Sequence, residues 1–533
     1  MTNSVTADVA IIGSGFGGSL TALLLSRAGL RPVLIDRAAH PRFALGESST
    51  PIADLILQQL ARRYDLPRIA PLAEYGTWQR SYPQLTCGLK RGFSYFQHRP
   101  DQPFTPRGDH ANELLVAASV GDADADTHWF RAEFDAFLVG EVRAAGIPYF
   151  DLTEICEVVD AESWRLSGRR SGEPVHIAAN FVIDASGEGR FLAQRLGVPE
   201  SAAAMRTCSR AVYGHFTGVR RWADLLAARG GRIQDHPFGC DDAALHHIFD
   251  HAWMWVLRFN NGVTSAGIQL DAARFPLDES RPPADEWQTF LNRYPSVAEQ
   301  FASAQITPAC GQMRRTGRIQ RRVARAAGCN WAMLPLTAYA LDALHSTGNA
   351  HNLCGIERLV SILERRPGGD ELARQLNRYD AMLQTEITLL DELVHGCYAA
   401  FGQFELLVAF AMFYFAGATF SECARREETA RTSRSGRPLN TGPRTAALDE
   451  LPAFLLADRA TFREHLSDCA QRVVALAGQP GGAAPGAREG FRELVAGRLA
   501  AVNIAGLCDP GRHNLYPFSC PIVASPDGPP PII

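Results

Sequence analysis

The stretch ADVAIIGSGFGGSLTALLLSRAGLRPVLIDR, from Ala7 to Arg37, decides the fold. Its apolar run Val9 to Ile12 has the composition of a strand buried on both faces. The run breaks at Gly13-x-Gly15-x-x-Gly18, after which Leu20, Leu23, Leu24 and Leu25 recur at helical spacing. Gly13 permits the tight turn, Gly15 lets the backbone approach a pyrophosphate, and Gly18 lets the helix pack closely on the strand, with the phosphates at the helix N-terminus. A second strand, Pro32 to Ile35, ends in Asp36, where a carboxylate accepts hydrogen bonds from the hydroxyls of an adenosine ribose. Glycines alone mark many turns. Strand, triplet, helix, strand and acid in this order read as a dinucleotide site, without separating FAD from NAD.

Bulk properties narrow the class. The chain has 533 residues, 46% hydrophobic and 21% charged, which suits two or three globular domains. A net charge of −4 gives no basic field for nucleic acid, and with no apolar leader ahead of the first strand a cytoplasmic location is expected. Twelve cysteines include no C-x-x-C pair, so they read as buried thiols rather than disulfides or a zinc site, and no metal is expected. The run FELLVAFAMFYFAGATF, Phe404 to Phe420, is apolar on nearly every face but shorter than a spanning helix and flanked by Glu405 and Glu422. A buried or substrate-lining helix is expected there rather than a membrane span.

Outward from the first unit, Ser48 to Thr50 followed by Pro51 is helix-start chemistry. Leu85 to Arg99 reads as one strand, its aromatic residues alternating after Lys90 and Arg91, and composition favours a solvated edge for those two cations. In Thr127 to Gly146, Phe130, Phe134, Phe137 and Leu138 share a helical face, with Arg131 one position off the stripe. Phe181 to Gly197 is a buried strand ending in Asp184, then glycines, then a helix, so the chain returns to the nucleotide-binding domain. Trp253 to Leu270 reads as a hairpin around Asn260-Asn261-Gly262 in a second sheet. Another strand, Trp331 to Leu336, leads to Ser346-Thr347-Gly348 at a helix start, whose free N–H groups suit an anion or carbonyl. The remainder reads as helical, broken by polar stretches at Arg431 to Thr445, expected to be a mobile loop, and at Gly478 to Ala487, with a proline-rich tail from Cys508 packing over the surface.

Together Gly13-x-Gly15-x-x-Gly18, Asp36, Gly46-Glu47-Ser48-x-x-Pro51, Arg131, Asp184-A-S-Gly187 and Ser346-Thr347-Gly348 resemble the two-domain FAD-dependent monooxygenases, specifically their flavin-dependent halogenase branch. Trp253-x-Trp255 looks like the W-x-W-x-I-P signature of that branch, and Lys90 in G-L-K-R-G-F falls where halogenases carry a catalytic lysine. The resemblance runs in order from Ala7 to Leu359 and implies an α/β fold. A discontinuous Rossmann-like FAD-binding domain (1–200 and 325–365) is joined by a β-sheet substrate domain (201–324) and a helical C-terminal region (366–533).

It also implies FAD held along Gly13, Gly15, Phe16, Gly18, Asp36, Arg37, Glu47, Ser48, Arg131, Asp184, Gly348 and Asn349, with chloride or bromide near Thr347 and Gly348. Reduced FAD, dioxygen and halide would give hypohalous acid, which reaches Lys90; His345 and Ser346 complete the catalytic group, and Trp253, Trp255 and Phe93 border the substrate. The substrate would be a small aromatic, free or tethered to a carrier, and a separate reductase would reduce the flavin. Pro335-Leu336 stands where the family has Gly-Asp, Arg258 where the signature has proline, and His345 where tryptophan halogenases often have glutamate. The same features resemble flavoproteins that oxidise a tryptophan of a partner protein, so a protein-modifying monooxygenase stays open, as does a degenerate flavin-binding interaction protein.

Overall fold

In the computed structural model, which describes residues 3–160, 163–434 and 451–519, the apolar run of the first unit becomes the central strand Asn3–Ile12. It pairs in parallel with Pro32–Ile35 on one side and Glu173–Asp184 on the other, and Trp331–Met333 adds in parallel beyond Glu173–Asp184. Ile12 is in register with both Ile35 and Asp184, and Asp184 with Met333, so four strands end along one edge. In an open parallel sheet that edge is where ligands bind. Tyr149–Phe150 closes one side and the antiparallel strands Trp164–Arg170 and Thr153–Asp160 the other. Helix Phe16–Arg27 covers the sheet between helices Arg131–Ala144 and Thr347–Glu364. The α/β class and the return of the chain at Asp184 are as expected from the sequence.

The second sheet runs, strand by strand, Gln305–Ile306, Ser209–Thr217, Thr264–Asp271, Ala252–Arg258, Ala244–Phe249, Gly92–Gln97, Glu113–Ala117 and Leu515–Tyr516. The expected hairpin is present: Arg258 faces Thr264, and Gly262 takes the positive φ of 81° that the turn requires. Alternation sorts side chains between two cores. Phe93, Tyr95, Ile248 and Trp253 join the core shared with the first sheet, while Phe96, Leu245, Met254 and Val256 join a second core with helix Pro283–Asn292.

The strand expected from Leu85 to Arg99 is split at Arg91. Cys87–Lys90 pairs with Asp126–Trp129, whereas Gly92–Gln97 enters the large sheet. A Cβ at Gly92 would lie 2.1 Å from the Val116 carbonyl oxygen, so only glycine lets the chain change sheets at that point. The second sheet therefore draws strands from residues 92–117 as well as from 209–271, and its last strand from the C-terminal tail. The tail thus adds backbone pairing to Glu113–Ala117 rather than only packing over the surface.

The C-terminal helices Gly369–Ala400, Phe404–Arg434, Ala460–Ala477 and Pro485–Leu499 pack on one another and on both sheets. Residues 404–428 are long and apolar enough to cross a membrane, with mean hydropathy 1.6, but 72% of that window is buried inside the protein. Residues 431–434 continue this helix; the rest of the polar stretch to Thr445 lies outside the described residues. Among the described residues ten cysteines are free thiols, and Cys423 is disulfide-bonded, which departs from the expectation of thiols throughout.

Candidate active site

The turn after Ile12 is shaped by what surrounds it. Gly13 has φ 106°, and a Cβ there would sit 2.4 Å from the Ala185 carbonyl oxygen; a Cβ at Gly18 would sit 1.9 Å from the Gly13 oxygen. Gly15 differs: a Cβ there would have as its nearest neighbours the Arg131 guanidinium and the Asp135 carboxylate, each 3.7 Å away, so the space beside it is open to a ligand. Asp36 is buried at the end of its strand and accepts from the Ser14 N–H at 2.7 Å and from both Arg42 amino groups at 2.7 and 2.8 Å. Against the burial that raises it, Arg42 and Ser14 hold Asp36 down to about 2, so it is an ionised acceptor. Arg37, next in sequence, is exposed.

Arg131 lies across the opening of this cradle. It is clamped by Asp135 through two bonds of 2.8 Å, donates to the Leu45 and Gly46 carbonyls at 2.7 and 3.1 Å, and has its guanidinium 5.0 Å from the centre of the Phe16 ring. The Asn349 amide, one turn into helix Thr347–Glu364, donates to the Gly46 and Ser48 carbonyls at 3.0 and 3.1 Å. Glycine turn, Gly46 turn and helix start are thus tied around one space. Ser346 precedes that helix in the left-handed region (φ 53°), no side chain caps the helix, and Leu336 touches its start, 3.4 Å from a methyl position on Gly348. The Ser48 hydroxyl is buried without a partner. Asp184 is spent within its own turn, accepting from the Ser186 and Leu192 N–H groups at 2.9 and 2.6 Å. The Glu47 carboxylate faces His215 of the second sheet at 2.8 Å.

These residues fit FAD: the glycine turn excludes side chains where a pyrophosphate would lie, an ionised acid waits at the ribose position, and the uncapped helix offers N–H groups at the far end. Such a fold and cradle, with a second sheet across the strand edge, define an FAD-dependent oxidoreductase.

Lys90 shows what the sequence left open. Composition favoured an edge for both cations, and the structure divides them. Arg91 reaches the surface to Asp122 at 2.7 Å, whereas Lys90 is completely buried. Its ammonium donates to the Ser49 carbonyl and lies 4.1 Å from the centre of the Phe93 ring. Asp126, its cross-strand partner, and Asp54, held by the Ser49 hydroxyl at 2.8 Å, supply the opposing charge. Burial pulls Lys90 down to about 8, and burial pushes Asp126 up to about 7 and Asp54 well above its ordinary range.

Phe93, the ring beside Lys90, also lines a cavity together with Thr50, Tyr414, Phe415, Glu422 and Phe454, and with Pro517 to Ser519 of the tail. The helix Phe404–Arg434 is largely buried, as expected, and Tyr414, Phe415 and Glu422 place part of it along this cavity. His345 is buried beside this cavity's Tyr414, stacked on its ring at 4.6 Å, its nitrogens facing the Tyr95 hydroxyl at 3.3 Å and the Cys397 sulfur at 3.5 Å. Burial lowers it to about 3, so it is a neutral ring at working pH.

Trp253 and Trp255 project on one face of their strand, 6.0 Å apart. The Trp253 indole N–H donates at 3.0 Å to Asp342, which also accepts from the Ser209 and Tyr398 hydroxyls, each at 2.6 Å. Sequence reasoning missed Asp54, Asp126 and Asp342. Their spacing carries no motif, and they meet Lys90 or Trp253 only through strand register and helix docking.

Comparison with known proteins agrees with this geometry. A family model described as FAD binding domain matches residues 6–44. The chain is 27% identical over 487 residues to monodechloroaminopyrrolnitrin halogenase PrnC of Pseudomonas fluorescens, covering 88% of this chain and 81% of the relative. It is 29% identical to tetracycline 7-halogenase of Kitasatospora aureofaciens, over 75% and 71%. Among solved structures, halogenase PltM in complex with phloroglucinol and FAD superposes with a TM-score of 0.83 at 23% identity, covering 96% of this chain and 99% of that one. Along most of its length the chain is similar to flavin-dependent halogenases.

Proposed function

We propose that this enzyme halogenates a small, free, electron-rich aromatic compound of the phenol type, with Lys90 as the group that delivers the halogen. The observation that carries the reading is the buried ammonium of Lys90, 4.1 Å from the centre of the Phe93 ring that also lines an aromatic-walled cavity. Bound FAD, reduced and then exposed to dioxygen, supplies the two-electron oxidation of chloride or bromide. Gly13, Gly15 and Gly18 would hold its pyrophosphate, Asp36 the ribose, and Arg131 with the Gly46 turn the stretch between. Thr347 and Gly348 would place the halide at the uncapped helix start.

Residues of the chain do the rest. Tyr95, His345 and Tyr414, in contact ring to ring, would keep water from the path between the two sites. Lys90 keeps its proton because Asp126 and Asp54 oppose the burial that would strip it, and it presents N–H groups to a hypohalous acid in a low-dielectric setting where such bonds are strong. Glu422, its carboxyl pushed up by burial, faces the cavity and suits a phenolic hydroxyl. The walls come from the helix Phe404–Arg434, the strand Glu113–Ala117 and the tail together, leaving room for a compact ring, which favours a free substrate over a carrier-bound one. A partner reductase would supply reduced flavin, because the two sheets contain one glycine-turn nucleotide unit among the described residues.

The reading is tested with purified enzyme, FAD, a flavin reductase, NADH and either chloride or bromide, using phloroglucinol as the trial substrate and mass spectrometry of the products. Halogen-bearing product from wild type, lost at least about a hundredfold in Lys90→Ala while FAD binding and flavin reoxidation persist, is the expected outcome, a loss equivalent to about 2.7 kcal/mol of barrier. Arg91→Ala, altering a surface ion pair, keeps the activity. Hydroxylated product without halogen across a panel of phenols, or full activity in Lys90→Ala, would replace this reading with a monooxygenase.

A further inference from the structure

At the end of strand Glu113–Ala117 away from the cavity, about 10 Å from Val116 at strand rise, lies a cluster the halogenation chemistry does not use. His110, Glu113 and His236 each bring one donor atom within 4.8 Å of the others. The side chains of His110 and Glu113 are 5% and 7% exposed, and that of His236 is 3% exposed. Glu113 Oε1 faces both His110 Nδ1 and His236 Nε2, the latter at 3.3 Å.

A second observation concerns the far side of the His110 ring. Its Nε2 lies 3.2 Å from Asp235 Oδ2, and Asp235 is fixed in turn by the Arg232 guanidinium at 2.6 Å. A carboxylate in that place can hold a proton on Nε2, so that an ion taking the place of the proton between Nδ1 and Glu113 would meet the Nδ1 lone pair, the outer arrangement that histidine ligands of metals usually have. Two imidazole nitrogens and one carboxylate oxygen are a donor set for zinc, which takes a tetrahedral site with a water in the fourth position.

We infer that His110, Glu113 and His236 bind a divalent ion of the zinc class, with Asp235 orienting His110 from behind. The ion joins three segments that the sheet alone leaves independent: the loop before Glu113, the strand itself, and the turn at Ile233–Asp235. It anchors the outer end of the strand whose other end, Val116 and Ala117, lines the cavity. The sequence did not suggest it, because the three ligands follow no metal-binding spacing.

The test uses the purified full-length enzyme. Metal content is measured by inductively coupled plasma mass spectrometry after growth with added zinc and dialysis, and the expectation is one zinc per chain. Zinc sulfate added to EDTA-stripped protein should raise Tm, and cobalt chloride in its place should give the visible absorption of a tetrahedral site. Glu113→Gln and His236→Ala should lose the metal and the Tm response while keeping the FAD spectrum. Should either variant fail to fold, the wild-type stoichiometry and cobalt spectrum decide alone. No metal above buffer in the wild type with an unchanged Tm on adding zinc, or metal retained by both variants, overturns the site.

Discussion

Lys90 is charged at working pH because two aspartates offset its burial, and this sets a pH limit on catalysis. Its lowered value of about 8 means that the ammonium, needed to meet the oxidised halogen, is lost as pH rises through 8, so kcat for halogenation should fall there. The groups facing it are Asp126 and Asp54, with Glu422 acting on Asp126, and they titrate together. Asp126⁻ favours the protonated lysine. Asp126→Asn removes that attraction, and the alkaline limb should move down by about one unit, equivalent to about 1.4 kcal/mol. A limb that stays in place in this variant, measured in steady-state assays with saturating FAD, would assign it to another group. Leu336 makes a second case at this scale. It touches the start of helix Thr347–Glu364 where the family has an aspartate, and Leu336→Asp should tighten FAD about tenfold to a hundredfold, the worth of a charged hydrogen bond of about 1.5–3 kcal/mol. Fluorescence titration checks it, and unchanged affinity in a folded variant would misplace residue 336.

At the scale of elements, the strand–turn–helix unit separates two kinds of glycine. A methyl at Gly18 collides with the Gly13 carbonyl, so Gly18→Ala should displace helix Phe16–Arg27 from its strand and cost several kcal/mol of stability, about the scale of overpacking or more. A methyl at Gly15 meets nothing closer than 3.7 Å within the protein. Gly15→Ala should therefore fold with nearly the denaturation midpoint of apo wild type yet lose FAD, because the methyl occupies the ligand's space. Equal destabilisation of both variants by denaturant would show that Gly15 is structural. Spacing along the chain does not rank these two glycines; only the neighbours of each in space do.

At the scale of the whole molecule, the cavity is a joint product of distant segments. Phe93 and Val116 come from the second sheet, Tyr414, Phe415 and Glu422 from the long helix, and Pro517 to Ser519 from a tail whose strand Leu515–Tyr516 pairs with Glu113–Ala117. A chain ending at His513 keeps the flavin cradle and removes one wall. It should retain FAD and flavin reoxidation but release more free oxidant per halogenated product, seen as a lower ratio of product to NADH consumed. A truncated chain with unaltered coupling would mean that the tail does not contain the oxidant.

What was legible from the sequence is what short range controls. The apolar run, glycine spacing and terminal acid of residues 7–37 set the nucleotide unit, because backbone sterics and side-chain periodicity act over a few residues. Asn260-Asn261-Gly262 set its hairpin for the same reason. Order along the chain carried the family resemblance, and with it Lys90 and the paired tryptophans. The tertiary structure alone decided which of Lys90 and Arg91 is buried, since Gly92 sends the chain between two sheets only where the Val116 carbonyl leaves no room for a side chain. It alone put Asp126 and Asp54 beside Lys90, Asp342 under Trp253, and His236 next to His110 and Glu113, partners that lie far apart along the chain. Burial is a property of the packed chain, and so are the charges that Lys90, Asp126 and His345 carry.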